Sequence, residues 1–190
     1  GKKFLHAPSI ATASQARSGQ IRATMKHMQN PAISLKPATK ADEPRLSQLL
    51  SDYQSELLPY SGHSEADIAT YKYLPHYFTD PERTAYFILV GHEVAGFVLV
   101  NTHTLVEPHA HAIAEFYIAP AFRRGGVGAQ VAAQTFAQFP GKWEVAQMAT
   151  NQSAIQFWRS VIHGVTNGQY RETVLNTARW RGPVQIFEVR

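Results

Sequence analysis

The chain has 190 residues, 44% of them hydrophobic, which is enough for one well-buried core and too little for two comfortable ones. It contains no cysteine, which excludes disulfide frameworks, thiolate nucleophiles and cysteine-ligated zinc. No apolar run approaches the roughly 18 residues of a membrane span. We therefore expect a soluble domain without a membrane partner, in a reducing cytoplasm.

The formal net charge of +4 is unevenly distributed along the chain. Residues 1–41 carry seven basic residues and no acid, so the remainder holds 11 bases and 14 acids and has a net charge of −3. We expect residues 1–28 to form a flexible basic tail or upstream extension, and residues 29–190 to form the domain. A nucleic-acid-binding function would depend on the tail alone, so we expect no nucleic-acid partner.

The hydrophobic pattern changes period several times along the chain, which indicates alternating strands and helices. In chain order it predicts a strand at 33–35, a helix from 39 that Pro59 ends, a weaker helical piece over 65–76, strands at 84–90, 94–100 and 110–118, a helix over 126–139, a strand over 143–149, a helix over 153–161, and a closing hairpin of 170–175 with 184–189. Two apolar runs flank the polar turn Gly91-His92-Glu93, as is typical of a β-hairpin. Helices between strands of one mixed sheet place the fold in the α/β or α+β class.

Residues 115–129 form a strand, a loop with two arginines and three glycines, and the start of a helix. Glycine lets the backbone approach a ligand closely, and the free N–H groups and dipole of a helix start favour an anion. The stretch therefore predicts a site for a pyrophosphate, with an ordinary tight connection as the alternative. It is not a P-loop, and Val131 occupies the place of the third glycine in a dinucleotide-binding fingerprint.

Two linked motifs resemble those of the GNAT superfamily of N-acetyltransferases. The first, Arg123-x-x-Gly126-x-Gly128, follows a strand that ends Phe116-Tyr117-Ile118-x-Pro120 and looks like the coenzyme A-binding motif of that family. The second, Asn151-Gln152-Ser153-Ala154-Ile155-Gln156-Phe157-Trp158, follows at the expected distance. The resemblance covers about residues 33–190. It implies a mixed, mostly antiparallel central sheet of six to seven strands with about four flanking helices.

The resemblance also implies how acetyl-coenzyme A, the co-substrate, is held. The backbone of Tyr117 and Ile118, next to Phe116, would bond to the pantetheine arm at a splay between the fourth and fifth strands. The pyrophosphate would lie on backbone N–H groups of Arg124, Gly125, Gly126, Val127, Gly128 and Ala129, with the side chains of Arg123 and Arg124 reaching phosphates. Asn151 would bond to the pantetheine, and Ala154, Phe157 and Trp158 complete the cofactor-binding set. Without the first motif, Asn151 would equally suit a helix N-cap and Phe157 a place in the core.

The sequence departs from the family pattern at Trp158, where the family usually has a tyrosine that protonates the leaving thiolate. An indole N–H is not a general acid near neutral pH, so the acid is unassigned. Tyr117 and Tyr170 are candidates, because a phenol with a pKa of about 10 can donate a proton. Solvent is the alternative, since a thiolate is already a competent leaving group.

Glu115 is the predicted base, because several family members place a carboxylate at this point of the strand to bind or deprotonate the acceptor amine. The alternative is a carboxylate that faces solvent or pairs with Arg123. Three histidines, His103, His109 and His111, lie close in sequence, but no carboxylate or cysteine cluster accompanies them. We therefore expect no metal site.

Together these features predict an enzyme that transfers an acetyl group directly to a primary amine within a ternary complex. The acceptor would be a small molecule or a peptide, and the mildly acidic domain favours a cationic one, such as a polyamine, an aminoglycoside-like amine or a protein lysine. A homodimer is possible, because relatives often form one. The alternative function is a non-catalytic acyl-coenzyme A-binding sensor, which the departure at Trp158 favours.

Overall fold

A computed structural model describes residues 31–62 and 71–190. The predicted tail, residues 1–28, lies outside the described residues, and so do residues 65–70 of the weaker helical piece. No helix among the described residues is both long and apolar enough to cross a membrane.

Seven strands form one sheet in the spatial order β1-β2-β3-β4-β5-β7-β6. The strands are β1 (Ile33–Pro37), β2 (Arg83–Val90), β3 (Glu93–Asn101), β4 (His111–Ile118), β5 (Gly141–Ala146), β6 (Tyr170–Asn176) and β7 (Arg181–Val189). Among the neighbouring strands of the described residues, only β4 and β5 pair in parallel, and both predicted hairpins, β2–β3 and β6–β7, pair antiparallel. The mixed, mostly antiparallel sheet expected from the sequence is therefore confirmed.

Three α-helices and three short 3-10 helices flank the sheet in the described part of the chain. The α-helices are α1 (Glu43–Ser61), α2 (Val127–Gln138) and α3 (Gln152–Thr166), and the 3-10 helices span Lys40–Asp42, Leu74–Phe78 and Pro120–Phe122. Helix α1 does not end at Pro59 as the sequence predicted, because it continues to Ser61 and ends at Gly62 in a left-handed conformation. A proline so near the end of a helix removes only one of the last intrahelical hydrogen bonds.

Each face of the sheet buries its own hydrophobic cluster. On the face covered by α2 and α3, Phe136 packs edge-on against Trp143 and Phe187 at ring distances of 4.8 and 5.0 Å. On the opposite face, Leu46 and Leu50 of α1 are buried in a cluster with residues of β2, β3 and β4. Burying each such side chain contributes on the order of 2 kcal/mol, and together the two clusters fix both sides of β4.

Strand β4 leaves its parallel neighbour halfway along its length. It pairs with β5 only at His111–Ile113, whereas β4 itself continues to Ile118. The parting begins at a bulge, because Ile113 and Glu115 face consecutive residues of β3 and Ala114 has no partner there. A bulge inserts one residue and redirects the strand. The two strands therefore splay apart after Ile113 and open a cleft between them.

The loop between β3 and β4 is fixed by a buried carboxylate on β5. The Glu144 side chain is 2% exposed. Its two oxygens accept hydrogen bonds from the backbone N–H groups of Leu105, Val106 and Glu107 at 2.6, 2.8 and 2.8 Å. Three donors directed at one ion compensate the cost of removing it from water. This contact fixes the loop on β5.

We predict that Glu144→Gln lowers the free energy of unfolding by about 2 kcal/mol, because an amide NH2 would then face backbone donors. Urea denaturation measures the change. The exposed Glu93 serves as the control, and Glu93→Gln should leave the midpoint nearly unchanged. Equal stability of the two variants would contradict a role for Glu144 in anchoring the loop.

Candidate active site

The splay between β4 and β5 opens into a cleft of about 890 Å³. The second half of α1, the start of α3 and the turn between β6 and β7 complete its walls. At one end, the hydroxyl of Thr150 donates to the carbonyl of Tyr60 at 2.7 Å and so holds the end of α1 to the loop before α3.

The backbone of β4 directs hydrogen-bonding groups into this cleft. Ala119 N–H donates to the Ala95 carbonyl of β3 at 2.7 Å, and hydrogen-bonding direction alternates along a strand. Ile118 and Phe116 therefore direct their groups away from β3. In agreement, the carbonyl of Ile118 accepts from Arg123 Nε at 2.6 Å, and the amide of Phe116 bonds to the Tyr53 hydroxyl. Tyr117, expected to offer its backbone to a ligand, directs it into the sheet instead.

The glycine-rich turn has the shape expected of an anion cradle. Gly126 precedes α2 with a φ of 77°, and Arg124 also has a positive φ of 66°. A side chain at Gly125 or Gly126 would meet no atom within 4 Å, so the start of the helix is open. At Gly128 a Cβ would lie 3.2 Å from the Phe157 ring, so this glycine lets α2 pack closely on α3. The free N–H groups of the first helical turn remain available to an anion.

The Arg123 side chain lies away from the cradle. Besides the bond to Ile118, its guanidinium forms an ion pair with Glu56 of α1 at 2.7 Å and lies 5.6 Å from the centre of the Tyr117 ring. The expectation that Arg123 reaches a phosphate is therefore not met in this conformation, in which it joins the turn to α1. Arg124 is exposed, and its side chain forms no ion pair within the described residues.

The second motif forms the start of α3 and one wall of the cleft. Asn151 caps the helix, because its Oδ1 accepts from the Ala154 N–H at 3.1 Å, while its Nδ2 donates to no atom within residues 31–62 and 71–190. Ala154 and Trp158 line the cleft. The rings of Phe116, Phe157 and Trp158 pack against one another at 5.0 to 5.9 Å. Asn151 and Phe157 thus have the structural roles foreseen as alternatives, at the edge of the cleft.

Glu115 lies half-buried in the cleft on the face covered by α1. Its carboxylate accepts hydrogen bonds from the hydroxyls of Tyr53 and Tyr71. Burial raises the pKa of Glu115 to about 7, and the two phenols oppose this shift because they stabilise the charged form. Glu115 is therefore poised to exchange a proton near neutral pH, and it does not pair with Arg123.

A series of hydrogen-bonded side chains extends from Glu115 into the protein interior. Tyr71 bonds to Tyr77, whose hydroxyl accepts from Asn101 Nδ2 at 3.4 Å. Burial raises the pKa values of Tyr53, Tyr71 and Tyr77, so all three are neutral donors. Neither of the two sequence motifs includes Tyr71 or Tyr77. Tyr53 falls within the predicted first helix. Helical spacing alone does not show that its hydroxyl lies next to Glu115, 62 residues further along the chain.

Neither tyrosine expected to act as the acid lies in the cleft. The Tyr117 hydroxyl donates to Glu56 of α1 at 3.3 Å, and neither residue lines the cleft. Tyr170 lies on β6, which is separated from β5 by β7, because the closing hairpin adds to the sheet through its second strand. It lines a separate depression with Lys142 and Arg171. The structure therefore places neither phenol among the residues that line the cleft.

The histidines considered as metal ligands are not gathered together in the structure. His111 stacks between Phe139 and Trp143 at 5.1 and 5.3 Å, and burial lowers its pKa. Within the described ranges, no group of three or more His, Asp or Glu side chains has an arrangement that could hold a metal ion.

A chain of hydrogen bonds runs under α3 to the cleft wall. Arg159 forms two bonds to the Glu172 carboxylate, at 2.9 and 2.5 Å. Glu172 accepts from Gln185 at 2.7 Å, and Gln185 in turn accepts from Gln147 at 2.7 Å. The pKa of Glu172 is lowered, first by Arg159, so the chain ends in an ionised acceptor. Gln147, 4% exposed, is in the cleft lining, and its Oε1 has no partner in the described part of the chain.

We predict that Tyr53→Phe raises the pKa of Glu115 above 7, because the variant loses a hydrogen bond that stabilises the carboxylate. The ¹³C shift of the Glu115 carboxyl carbon, followed from pH 4 to 9, measures it. Tyr60 also lines the cleft, and Tyr60→Phe should leave the titration in place. A wild-type midpoint near the ordinary 4.5 would contradict the assigned environment.

Comparisons with known proteins agree with this geometry. The sequence matches the Acetyltransferase (GNAT) family over residues 45–161. No curated protein matches it significantly.

Three solved structures illustrate the likeness in fold. An acetyltransferase from Thermus thermophilus is 19% identical with a TM-score of 0.60, covering 85% of this chain and 100% of its own. The aminoglycoside acetyltransferase AAC(6')-Ib with ribostamycin and coenzyme A is 13% identical with a TM-score of 0.59, covering 83% and 93%. The ribosomal L7/L12 α-N-protein acetyltransferase RimL with coenzyme A is 15% identical with a TM-score of 0.54, covering 83% and 94%. With a family match over most of its length, a seven-stranded sheet of the same fold and a cleft at the β4–β5 splay, the chain belongs to the GNAT family of acetyltransferases.

Proposed function

We propose that the protein transfers the acetyl group of acetyl-coenzyme A directly to the nitrogen of a primary amine, with both substrates bound together. One observation carries the proposal: the β4–β5 splay leaves the backbone groups of Phe116 and Ile118 unpaired with β5, the open start of α2 follows along the chain, and the Glu115 carboxylate lines the cleft. The first two groups suit the coenzyme, and the third suits the amine.

The coenzyme would lie with its pyrophosphate on the N–H groups that begin α2 and its pantetheine arm along β4. The phosphate end needs no side chain at Gly125 or Gly126, and both are open. The unpaired Nδ2 of Asn151 is a donor for the arm at the opposite wall. The support in known proteins is that relatives of the same fold have been solved with coenzyme A bound.

The chain would contribute to the reaction by positioning the two substrates, by polarising the thioester carbonyl and by accepting a proton. The N–H of Ile118, which points away from β3, would bond to the thioester oxygen and stabilise the charge that develops there. The amine nitrogen would attack the carbonyl carbon, the C–S bond would break, and the proton of the amine would pass to Glu115, directly or through one water. A carboxylate with a pKa of about 7 can take that proton at neutral pH and release it after the product leaves.

The leaving thiolate needs no acid from the protein. Trp158 occupies the position of the family tyrosine and lines the cleft wall, and its indole N–H does not ionise near neutral pH. A thiolate is a weak base, so water can protonate it after the C–S bond breaks. Trp158 would therefore act by packing and by hydrogen bonding.

The environment of Glu115 favours an enzyme over a non-catalytic sensor. A module that only binds the coenzyme has no use for a carboxylate with a raised pKa at the reacting end of the cleft, since burying such a group carries a free-energy cost. The departure at Trp158, which suggested a sensor, removes an acid that the reaction does not require.

We predict that Glu115→Gln lowers kcat at least 100-fold and leaves the Kd for coenzyme A unchanged, because an amide cannot accept the amine proton. In the wild type, kcat/KM should rise with pH and level off above about 7, since the base must be ionised. That inflection should vanish in the variant. Thiol release with a panel of primary amines measures both, and Glu188→Gln, an exposed glutamate on β7, is the control. Unchanged turnover would remove Glu115 from the mechanism.

We predict that Gly125→Glu weakens coenzyme A binding about tenfold or more, because it places a negative charge beside the phosphates. Gly125→Gln adds the same bulk without charge and should weaken binding less. Gly164→Glu, on the exposed side of α3, is the control for added charge elsewhere. Isothermal titration calorimetry measures all three, and equal affinities would place the phosphates outside the cradle.

A further inference from the structure

We infer that the acceptor amine also carries an anionic oxyacid group, such as a carboxylate, which the turn between β6 and β7 binds at the end of the cleft opposite the coenzyme. The inference rests on the proposed function and names the class of its second substrate. Three side chains carry it, and they are consecutive in the sequence: Arg179, Trp180 and Arg181.

The charged side chains of the cleft are divided between its two sides. Among the described residues that line it, Glu115 is the one carboxylate, and Arg179 and Arg181 are the cations. Neither arginine forms an ion pair with a described carboxylate. Arg179 donates to the Thr104 carbonyl at 3.2 Å, a contact that fixes its position without neutralising its charge. Two unneutralised guanidinium groups on one wall attract an anion and can bind a carboxylate in bidentate fashion.

Trp180 adds a donor that has no partner. Its Nε1 is buried, and no described atom accepts its hydrogen bond. Leaving a buried donor unpaired carries a free-energy cost, so such a group calls for an explanation. Trp180 lines the same cleft, and in the sequence it lies between the two arginines. An oxygen of the acceptor would pair with this N–H and the guanidinium groups together.

The spacing sets the size of the acceptor. The last paired level before the splay aligns Ile113 with Val145, and beyond it the Gln147 N–H donates to the Pro183 carbonyl at 3.0 Å. The main chains of β4 and β7 are thus two strand spacings, or about 10 Å, apart where β4 and β5 are still paired, and the splay widens this gap at Glu115. Side chains reach inward from both sides. An amine and a carboxylate separated by about three to five carbon atoms would fit.

This result revises the charge expected of the acceptor. The folded domain is mildly acidic as a whole, which favoured a polyamine, an aminoglycoside-like amine or a protein lysine. The local cleft has the opposite balance, because its cations outnumber its carboxylate in the described residues. A ligand in a narrow cleft responds to the nearest charges, which water screens least.

The test compares amines that differ only in the anionic group. The purified full chain is given acetyl-coenzyme A with 4-aminobutyrate against propylamine, and with 6-aminohexanoate against pentylamine. Thiol release gives kcat and KM, and calorimetry in the presence of coenzyme A gives the affinity for each amine. We expect KM and Kd at least tenfold lower for the amino acid of each pair, with a smaller difference in kcat.

Matched variants identify the residues responsible. Arg179→Gln, Arg181→Gln and Trp180→Phe should each raise KM for the amino acid several-fold, and the phenylalanine keeps an aromatic ring while removing the N–H. Arg190→Gln, at the exposed end of the chain, controls for the loss of one positive charge. Thermal unfolding confirms that each variant is folded before its kinetics are compared.

The outcomes separate the inference from the proposed function. Equal KM and Kd within each pair, with turnover, would overturn the inference and leave the acetyltransferase activity in place. Turnover of no amine would overturn the proposed function. In that case calorimetry still decides the inference, because a preference for the amino acids that the three variants abolish supports it and the absence of a preference refutes it.

Discussion

Backbone N–H and C=O groups inside a sheet need hydrogen-bond partners. Beyond Ile113, the backbone groups of β4 that point toward β5 have no partner on that strand. The bulge at Ala114 separates it from β5, so the groups that Phe116 and Ile118 direct away from β3 lie along an open cleft. In the structure, Tyr53 and Arg123 occupy part of this edge. A flexible, amide-containing arm that extends along the strand would complete it, which is why the splay determines where a coenzyme can bind.

The same bulge determines which side chains meet at the reacting end. Because it shifts the alternation of β4 by one residue, Glu115 shares a face with Leu99 and Tyr117 and lies against α1. That apolar face removes the carboxylate from water and raises its pKa. The phenols of Tyr53 and Tyr71 keep the carboxylate hydrogen-bonded, so a buried acid is retained at an acceptable cost. The bulge therefore determines both the course of the β4 backbone at this site and the raised pKa of Glu115.

Local patterns in the sequence were enough to predict the strands, the two hairpins and the two motifs, because each depends on neighbouring residues. The places where residues lie apart from their expected positions depend on tertiary structure. Tyr170 was proposed as an acid, but β7 lies between its strand and β5, and nothing in a hairpin sequence says which strand joins the sheet. Arg123 was assigned to a phosphate, but Glu56, 67 residues earlier, lies within 2.7 Å of it. The role of the turn at Trp180 was likewise invisible, since its residues reach the cleft only when the sheet has formed.

The hydrogen-bond chain from Arg159 to Gln147 fixes the orientation of the amide groups behind the cleft wall. A carboxylate can only accept, so Glu172 forces Gln185 to present its amide NH2, and Gln185 then forces Gln147 to do the same. The carbonyl oxygen of Gln147 is thereby left at the end of the series, buried and without a partner in the described residues. A residue on the outermost strand thus sets the orientation of an amide two strands away. A change at Glu172 would free both amides to reverse, and with them the dipole behind the cleft wall, without touching any ligand. Remote positions of this kind are where variation among related enzymes can alter selectivity while the visible pocket stays the same.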